Sequence, residues 1–260
     1  MYATERQELT RRLLADEGRV SVIDLSERFD VSTETIRRDL DRLEETGLLR
    51  RVHGGAVAPE RISTAEPSLA ERTVRSGAAK SAIARRALDA LGEGFRGSVF
   101  FDAGTTTGAV AALFASGAVD RGIEVVTHAL TVGNALAAGG DDVRLTVIGG
   151  RVRGRTAAAV GAETVRAVQG MRPDVAFVGT NGISADFGLS TPDPDEAAVK
   201  TAIVGAARRV VVVADADKHE RELLVGFAPL SDIDVLVTDA QPPAALSTAL
   251  ADAGVQVWLP

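Results

Sequence analysis

The chain has 260 residues, of which 45% are hydrophobic and 4% aromatic, so a core built mainly from Ala, Val, Leu and Ile has room for two domains. It contains no cysteine, which excludes a disulfide framework and a thiolate metal site. No apolar run approaches the roughly 18 residues of a membrane span, and residues 1–12 are too charged for a signal-peptide core. We therefore expect a cytoplasmic protein without a membrane partner.

The net charge of −7 argues at first against a nucleic-acid partner. The first 57 residues do not reverse it, because they hold 10 arginines against 12 aspartates and glutamates. Charge is nevertheless segregated along one predicted helix, with Arg37 and Arg38 near its start and Glu44 and Glu45 toward its end. A local positive potential persists within a Debye length of about 8 Å. We expect modest non-specific DNA affinity with a strong salt dependence.

Three helices are predicted first. Thr4–Glu17 has leucines at helical spacing and is followed by a glycine stop signal, and Val22–Phe29 is a short second helix. A turn over Asp30–Ser32 then leads into a third helix, Thr33–Thr46. The segment Leu48–Val57 predicts a strand–turn–strand unit, whose paired glycines permit a tight turn or a close approach of backbone to DNA. Together these elements indicate a winged helix-turn-helix.

The third helix has two chemically different faces. Ser32 or Thr33 caps its start, and Ile36, Leu40 and Leu43 form its apolar face. The opposite face carries hydroxyls followed by two guanidiniums, which suit a helix that enters a major groove by its N-terminal end. The hairpin adds cationic side chains beside it. The predicted DNA-contacting residues are Ser32, Thr33, Thr35, Arg37, Arg38, Arg50, Arg51 and His53.

The rest of the chain alternates between short apolar runs and helical stretches. Residues 58–67 are polar and bounded by prolines, which predicts a linker between a DNA-binding domain, residues 1–57, and a second domain, residues 68–260. Leu69–Leu91 predicts one long, partly basic helix. Short continuous strands of this kind indicate a parallel sheet covered on both faces. The predicted strands are Ser98–Asp102, Glu124–Thr127, Arg144–Ile148, Asp174–Gly179, Val210–Ala214 and Val235–Thr238, and the helices are Thr106–Leu113, Leu130–Ala138, Gly161–Gln169, Glu196–Ala207 and Ala244–Ala253.

Four of these strands end in loops rich in glycine, hydroxyls or cations, where parallel sheets bind ligands. The stretch Asp102–Thr107 leaves a strand and opens a helix, which suits an anion, although a threonine that merely caps the helix explains it as well. Lys218 is placed to neutralise a phosphate, and Lys200 adds an ammonium unless it pairs with Glu196 on a solvated surface. The other two loops are residues 147–151 and 179–183. We expect Arg151 and Arg153, which belong to the first of these loops, either near a ligand or on the solvated surface. Together the loops predict a site for a small phosphorylated ligand.

Metal and nucleophile chemistry have no support in the sequence. The three histidines, His53, His128 and His219, lack neighbours at metal-ligand spacing. No serine lies in a G-x-S-x-G setting. We expect no metal, no cofactor and no catalytic residue.

These motifs closely resemble the signature of the DeoR family of bacterial transcriptional repressors. V-S-T-E-T-I-R-R-D-L followed by R-V-H-G-G-A matches its DNA-binding head, and F-F-D-A-G-T-T-T, V-I-G-G, F-V-G-T-N-G-I-S, E-A-A-V-K and V-A-D-A-D-K match its effector domain in order. The match spans nearly the whole chain. The resemblance implies a C-terminal α/β domain with a mostly parallel sheet, similar to ribose-5-phosphate isomerase, that binds a sugar phosphate and so changes operator affinity.

The resemblance also implies which residues bind the effector. His128 stands where the family often has Asn, and Asp217 replaces a hydroxyl in the family's D-S-S-K segment. The segment Gly188–Glu196 resembles members from high-GC Gram-positive bacteria linked to fructose uptake and 1-phosphofructokinase, which favours fructose 1-phosphate. The implied effector residues are Asp102, Gly104, Thr105, Thr106, Thr107, Thr127, Gly149, Gly179, Lys200, Asp215 and Lys218.

Two other functions compete with a DNA-binding switch. An aldose–ketose isomerase needs a carboxylate base, but no carboxylate follows Gly179 until Asp186, which leaves Asp102 and Asp215 as candidates. A winged helix can also dock another protein, which the arginines of the helix and wing disfavour. For a DNA-binding repressor, two-fold operators imply a homo-oligomer, a dimer or a tetramer.

Overall fold

The computed structural model describes residues 3–45, 48–57, 63–64, 66–118, 122–139 and 144–260. The chain divides into two compact units, residues 1–66 and 67–260. Thr46 of the predicted third helix and most of the predicted linker, residues 58–62 and 65, lie outside the described residues.

The first unit is a winged helix-turn-helix. Leucines, valines and one phenylalanine from its helices and sheet form a single buried core, with Ile36 and Leu40 fully buried. Arg19–Ser21, which was not predicted as a strand, pairs antiparallel with Gly55–Val57 in a three-stranded sheet of order β1-β3-β2. The elements are α1 (Ala3–Glu17), β1 (Arg19–Ser21), α2 (Val22–Phe29), α3 (Thr33–Glu45), β2 (Arg50–Val52) and β3 (Gly55–Val57).

The second unit is built on a seven-stranded sheet in which every neighbouring pair is parallel, in the order β15-β14-β12-β9-β4-β5-β6. The predicted parallel sheet and α/β fold class are confirmed. The strands are β4 (Ser98–Phe101), β5 (Glu124–Thr127), β6 (Arg144–Val147), β7 (Arg151–Arg153), β8 (Ala158–Val160), β9 (Val175–Gly179), β10 (Gly182–Ser184), β11 (Gly188–Thr191), β12 (Val210–Val213), β13 (Val225–Ala228), β14 (Val235–Val237) and β15 (Gln256–Trp258).

Helices cover both faces of this sheet, because successive strand residues point to opposite sides. Phe100, Val178 and Val212 pack against one group of helices, and Phe101 and Phe177 pack against the other. The first group is α8 (Ala162–Gln169), α9 (Pro194–Ala206) and α10 (Ala244–Asp252); the second is α5 (Gly77–Leu88), α6 (Thr105–Leu113) and α7 (Leu130–Ala137). The four loops predicted to hold the ligand therefore leave the same edge of one sheet.

The prediction of one long helix over Leu69–Leu91 is wrong. The structure has α4 (Leu69–Val74), then α5, then a 3-10 turn at Asp89–Leu91. The break falls at Ser76, whose φ of +56° lies in the left-handed region. Side-chain contacts stabilise the backbone at this break. Arg75 and Ser76 both donate hydrogen bonds to the carboxylate of Asp217, which is about 140 residues later in the chain. Helical periodicity carries no trace of such a contact.

The two glycines of the wing are required for different structural reasons. Gly54 has a φ of +79° in the turn, whereas a Cβ on Gly55 would lie 2.0 Å from the carbonyl oxygen of Val20. The close approach at Gly55 is therefore made by the unit's own strand β1.

We expect Gly55→Ala to destabilise the first unit by about 1–3 kcal/mol, because β1 must move away from β3 to accept the methyl group. Far-UV circular dichroism should show an earlier unfolding transition. The fluorescence of Trp258, the single tryptophan, reports the second unit and should not change. Gly205→Ala, where no atom lies within 4 Å of the added Cβ, is the control, and equal stability of both variants would contradict the packing account.

Candidate functional site

The start of α3 presents hydroxyls and guanidiniums together. Ser32 is the observed cap: its Oγ accepts the backbone N–H of Thr35 at 3.2 Å and lies 2.9 Å from the Thr35 hydroxyl. Arg37 and Arg38 follow on the next turn and are exposed, and Arg37 lies 3.4 Å from Glu34. Thr33 is half-buried at the first helical position. The five predicted residues of this helix are thus adjacent at its N-terminal end.

The wing is attached to α3 through Arg51. Its guanidinium donates to the Arg37 carbonyl at 3.1 Å and pairs with Asp41, and its backbone N–H donates to Glu44 at 2.8 Å. Arg51 therefore links the wing to α3, in addition to the DNA contact predicted for it. Arg50 and His53 remain exposed beside the helix.

A buried ion pair sets the position of α3 against α1, and sequence reasoning missed it. Arg6 Nε donates to Asp39 Oδ2 at 2.8 Å, and Gln7 donates to the other carboxylate oxygen at 3.1 Å. Both charged side chains are less than 10% exposed. Asp39 lies three residues after Ile36 on the apolar face, which was the available signal that its carboxylate is buried.

In the second unit, a fully buried carboxylate joins four of the elements that meet at the sheet edge. Asp102 follows β4, and its Oδ2 accepts the Gly179 N–H at 3.0 Å and the Lys200 ammonium. Its Oδ1 lies 3.0 Å from His128 Nε2, just beyond β5. Lys200 of α9 also donates to the Gly179 carbonyl at 2.8 Å. The structure thus brings together three predicted effector residues and one, His128, that was not among them.

The charges in this cluster favour ionised Asp102. Burial alone would raise the pKa of the carboxyl, but the charge of Lys200 and the hydrogen bond and charge of His128 outweigh it and lower the pKa of Asp102 to about 2. Both nitrogens of His128 face acceptors, since Nδ1 lies 2.8 Å from the Ala159 carbonyl oxygen. The cluster pairs the Lys200 ammonium with the ionised Asp102 carboxylate.

The signal that could have identified His128 was its place at the end of a buried strand, where an imidazole needs partners on both nitrogens. The alternative pairing of Lys200 with Glu196 on the surface is wrong. Both side chains are buried, and Glu196 instead accepts hydrogen bonds from Arg153 at 3.1 Å and from Thr156.

Several predicted effector residues hold the edge together through their own side chains or backbone. The Thr127 hydroxyl donates to the Phe101 carbonyl at 2.7 Å and accepts the Ala129 N–H, so it ties β5 to β4. Thr107 donates to the carbonyl of Gly104, the residue that caps α6 without a side chain. Gly149 accepts the Thr164 hydroxyl at 3.0 Å. Thr105 and Thr106 complete the first turn of α6, and Thr105 is the more exposed.

Asp215 and Lys218 form a second group after β12. Asp215 is buried, and its Oδ1 has no hydrogen-bond partner among the described residues, with the Lys218 ammonium 3.8 Å away. Burial lowers the pKa of Lys218, which the charge of Asp215 only partly offsets. Asp217, the added carboxylate, pairs with Arg75 at 3.0 Å.

A cavity of about 400 Å³ opens beside the start of α6. This volume falls within the range of small-molecule sites, about 300–1,000 Å³. An ammonium and four hydroxyls line it together with the backbone of α6. The residues that surround it are Leu69, Thr73, Gly77, Lys80, Ser81, Gly104, Thr105, Gly108, Ala109 and Thr131. Gly104 and Thr105 are the predicted effector residues among them.

The segment that favoured fructose 1-phosphate, Gly188–Glu196, forms β11 and the start of α9. Its carboxylates are engaged by β7: Asp193 with Arg153 at 2.9 Å, and Asp195 with Arg151. The two arginines of the V-I-G-G loop are therefore ion-paired within the unit.

Family models account for both units. One described as a DeoR-like helix-turn-helix domain matches residues 6–62, and one described as a DeoR C-terminal sensor domain matches residues 75–240. The chain belongs to the DeoR family. It is a DeoR-type transcriptional repressor and not an enzyme.

Full-length relatives agree with this assignment. The chain is 38% identical to the HTH-type transcriptional regulator GlpR of Haloferax volcanii over 99% of this chain and 98% of that protein. It is 33% identical to the glycerol-3-phosphate regulon repressor of Escherichia coli over the whole of both chains. It is 35% identical to an uncharacterised regulator, FruR, of Bacillus subtilis over 93% of each.

Among solved structures, ribose 5-phosphate isomerase A from Neisseria gonorrhoeae is 14% identical, with a TM-score of 0.39, over 55% of this chain and 53% of that one. The α/β assignment of this DeoR-family sensor unit rests on its own parallel sheet. None of the helices in the described part of the chain has the length and apolar character needed to cross a membrane.

We expect Asp102→Asn to lower the free energy of unfolding of the sensor unit by about 3–5 kcal/mol at pH 7, because the buried Lys200 ammonium loses its anion. The pKa of Asp102 is lower in the folded than in the unfolded chain, so its ionisation stabilises the fold above about pH 4. That stabilisation is lost as pH falls through the folded pKa of about 2. Urea titrations followed by Trp258 fluorescence measure it.

The difference in stability between wild type and Asp102→Asn should shrink between about pH 4 and pH 2. Asp252→Asn, at an exposed position on the end of α10, should differ little from wild type at either pH. A pH-independent difference for Asp102→Asn would show that the ionised carboxylate does not contribute the stability.

Proposed function

We propose that this DeoR-family protein represses a sugar-utilisation operon and that its sensor unit binds a phosphorylated sugar, with fructose 1-phosphate favoured. In this proposal residues 1–57 bind operator DNA, residues 58–67 are a linker, and residues 68–260 sense the effector. The protein acts as a cytoplasmic homo-oligomer, because a two-fold operator takes two heads.

The DNA half of the proposal is supported by the surface of α3. Its N-terminal end carries the exposed guanidiniums of Arg37 and Arg38 beside the hydroxyls of Ser32 and Thr35. The N-terminal turns of a recognition helix are the part that reaches base edges in helix-turn-helix proteins.

The observation that carries the effector half is the cavity beside the first turn of α6, at the C-terminal edge of a wholly parallel sheet. Helix N–H groups without a side-chain cap, four hydroxyls and an ammonium meet there. The helix N–H groups, the ammonium and the hydroxyls of Thr105 and Thr131 are donors that a phosphate ester can use. The hydroxyls of Thr73 and Ser81 donate to backbone carbonyls and offer acceptors for the hydroxyls of a sugar. The resemblance of Gly188–Glu196 to fructose-linked members favours fructose 1-phosphate over other sugar phosphates. One relative is named a glycerol-3-phosphate regulon repressor, so sn-glycerol 3-phosphate is the ligand to compare with it.

We expect Arg37→Ala to weaken operator binding by about 1–3 kcal/mol if its guanidinium reads a base. Fluorescence anisotropy with the operator and with a scrambled duplex, over a series of salt concentrations, measures the change. A base contact is lost chiefly from the operator, whereas a phosphate contact weakens both duplexes and lowers the salt slope by about one.

Arg144→Ala is the matched control for the loss of one positive charge. Arg144 is exposed in the sensor unit and pairs with Glu124 at 3.0 Å. If Arg37→Ala binds the operator as tightly as Arg144→Ala does, α3 does not enter the groove as proposed.

We expect fructose 1-phosphate to change operator affinity by about five- to 150-fold, the usual size of an allosteric coupling. The change requires that the ligand bind one arrangement of the protein better than the other. Fructose, fructose 6-phosphate, sn-glycerol 3-phosphate and inorganic phosphate are the comparison ligands. A response to sn-glycerol 3-phosphate alone would reassign the effector, and no response to any sugar phosphate would remove the proposed switch.

A further inference from the structure

The helix α3 carries five carboxylates, although DNA is itself a polyanion. Three of them contact other groups of the same unit, and Glu45 lies in the last turn of the helix. Glu34 is the acidic residue of the first turn, and its side chain is 68% exposed. The three contacts within the unit are those of Asp39 with Arg6, Asp41 with Arg51, and Glu44 with the backbone of Arg51.

Glu34 lies on the side of α3 that is turned away from the core. Successive residues of an α-helix are rotated by about 100°, so position 34 is opposite the centre of the buried face. Arg38, one turn later, lies on the same outer side and is exposed. The buried face consists of Ile36, Asp39, Leu40 and Leu43. A helix that enters a major groove by its N-terminal end therefore brings the Glu34 side chain to the base edges.

The contacts of Glu34 within the helix do not by themselves explain this placement. A carboxylate in a first turn interacts favourably with the positive end of the helix dipole, but Ser32 already caps α3 through the Thr35 N–H. Glu34 Oε2 accepts from Arg37 at 3.4 Å, and exposed pairs of this kind contribute little stability. The pair does place the carboxylate beside a guanidinium that is predicted to contact DNA.

The chemistry of the base edges decides what a carboxylate can bind there. DNA phosphates repel it, so it favours binding only where a base supplies a donor. In the major groove guanine presents two acceptors, thymine presents an acceptor and a methyl group, and adenine places an acceptor beside its amino donor. Cytosine presents the N4 amino donor alone. A carboxylate at the base edges therefore selects cytosine over the other three bases.

We propose that Glu34 is a specificity-determining residue that accepts a hydrogen bond from the N4 amino group of one cytosine in each operator half-site. This inference rests on the proposed contact of α3 with DNA. Arg37 and Arg38 supply the attraction to the duplex and offset the charge of Glu34. Glu34 contributes discrimination, because its carboxylate is repelled by every duplex that lacks the cytosine.

Fluorescence anisotropy of the full-length protein tests this on the duplex that footprinting defines upstream of its gene. Each base pair of one half-site is replaced in turn by the other three. For wild type we expect one C·G pair whose replacement weakens binding by about five- to 150-fold. Glu34→Ala should bind all four base pairs at that position within about twofold of one another. It should also bind a scrambled duplex more tightly than wild type does, because a repulsive charge is lost.

Glu34→Gln distinguishes a base contact from an effect of charge. Glutamine pairs with N6 and N7 of adenine, so the preferred base pair at that position should change from C·G to A·T. An effect of charge alone would raise affinity uniformly. A uniform gain in affinity, without a change in the preferred base pair at any position, overturns the inference.

Glu45→Ala is the matched control, because it removes one exposed carboxylate from the far end of the same helix. It should leave every base preference as in wild type. If Glu34→Ala also keeps the wild-type preference at every position, the inference is overturned.

Arg37→Ala separates failure of this inference from failure of the proposed function. Loss of operator affinity in Arg37→Ala, together with unchanged base preferences in Glu34→Ala, leaves the DNA contact of α3 standing and removes the reading of cytosine. If both variants bind the operator and the scrambled duplex as wild type does, the proposed DNA contact of α3 is removed as well.

Discussion

The sensor unit depends on one buried carboxylate with a full set of donors. Asp102 accepts from Lys200, from His128 and from the Gly179 backbone, so β4, the segment after β5, β9 and α9 meet at one point. A buried ion pair contributes little net stability when compared with apolar packing, but it is costly to break from one side. Its effect is therefore to fix geometry. The first turn of α6 begins two residues after Asp102, and its position follows from this cluster.

The two cationic residue types have different functions in this protein. Arginines attach hairpins and helices to their neighbours by forked contacts: Arg51 joins the wing to α3, and Arg153 joins β7 to α9. Two of the three lysines, Lys80 and Lys200, instead place single charges in buried positions. A lysine ammonium is a compact point charge, whereas an arginine guanidinium is a planar fork that binds carboxylates through two bonds.

The sequence predicted the sheet and the loops at its C-terminal edge because both follow from local pattern. Short valine-rich runs indicate buried parallel strands, and glycine or aspartate at their ends marks the loops. Contacts between distant residues left no such pattern. The break at Ser76 depends on Asp217, and the pairing of His128 with Asp102 depends on β4 and β5 being neighbours. The two short strands within residues 182–191 are connected through the residues before them. The Thr180 hydroxyl donates to the carbonyls of Gly182 and Ser190, and the Thr191 hydroxyl donates to Asn181 Oδ1. Hydrophobic periodicity over such short runs does not show these contacts.

The central claim is that the N-terminal unit lies in duplex DNA while a separate pocket senses a metabolite. Footprinting of the full-length protein on the DNA upstream of its own gene, at low ionic strength and with or without fructose 1-phosphate, tests it most directly. The account predicts two protected half-sites related by a two-fold axis and separated by about one or more helical turns of 10 base pairs, with protection that changes when the sugar phosphate is added. If the protein protects no part of this DNA at any of the salt concentrations used, the account is contradicted.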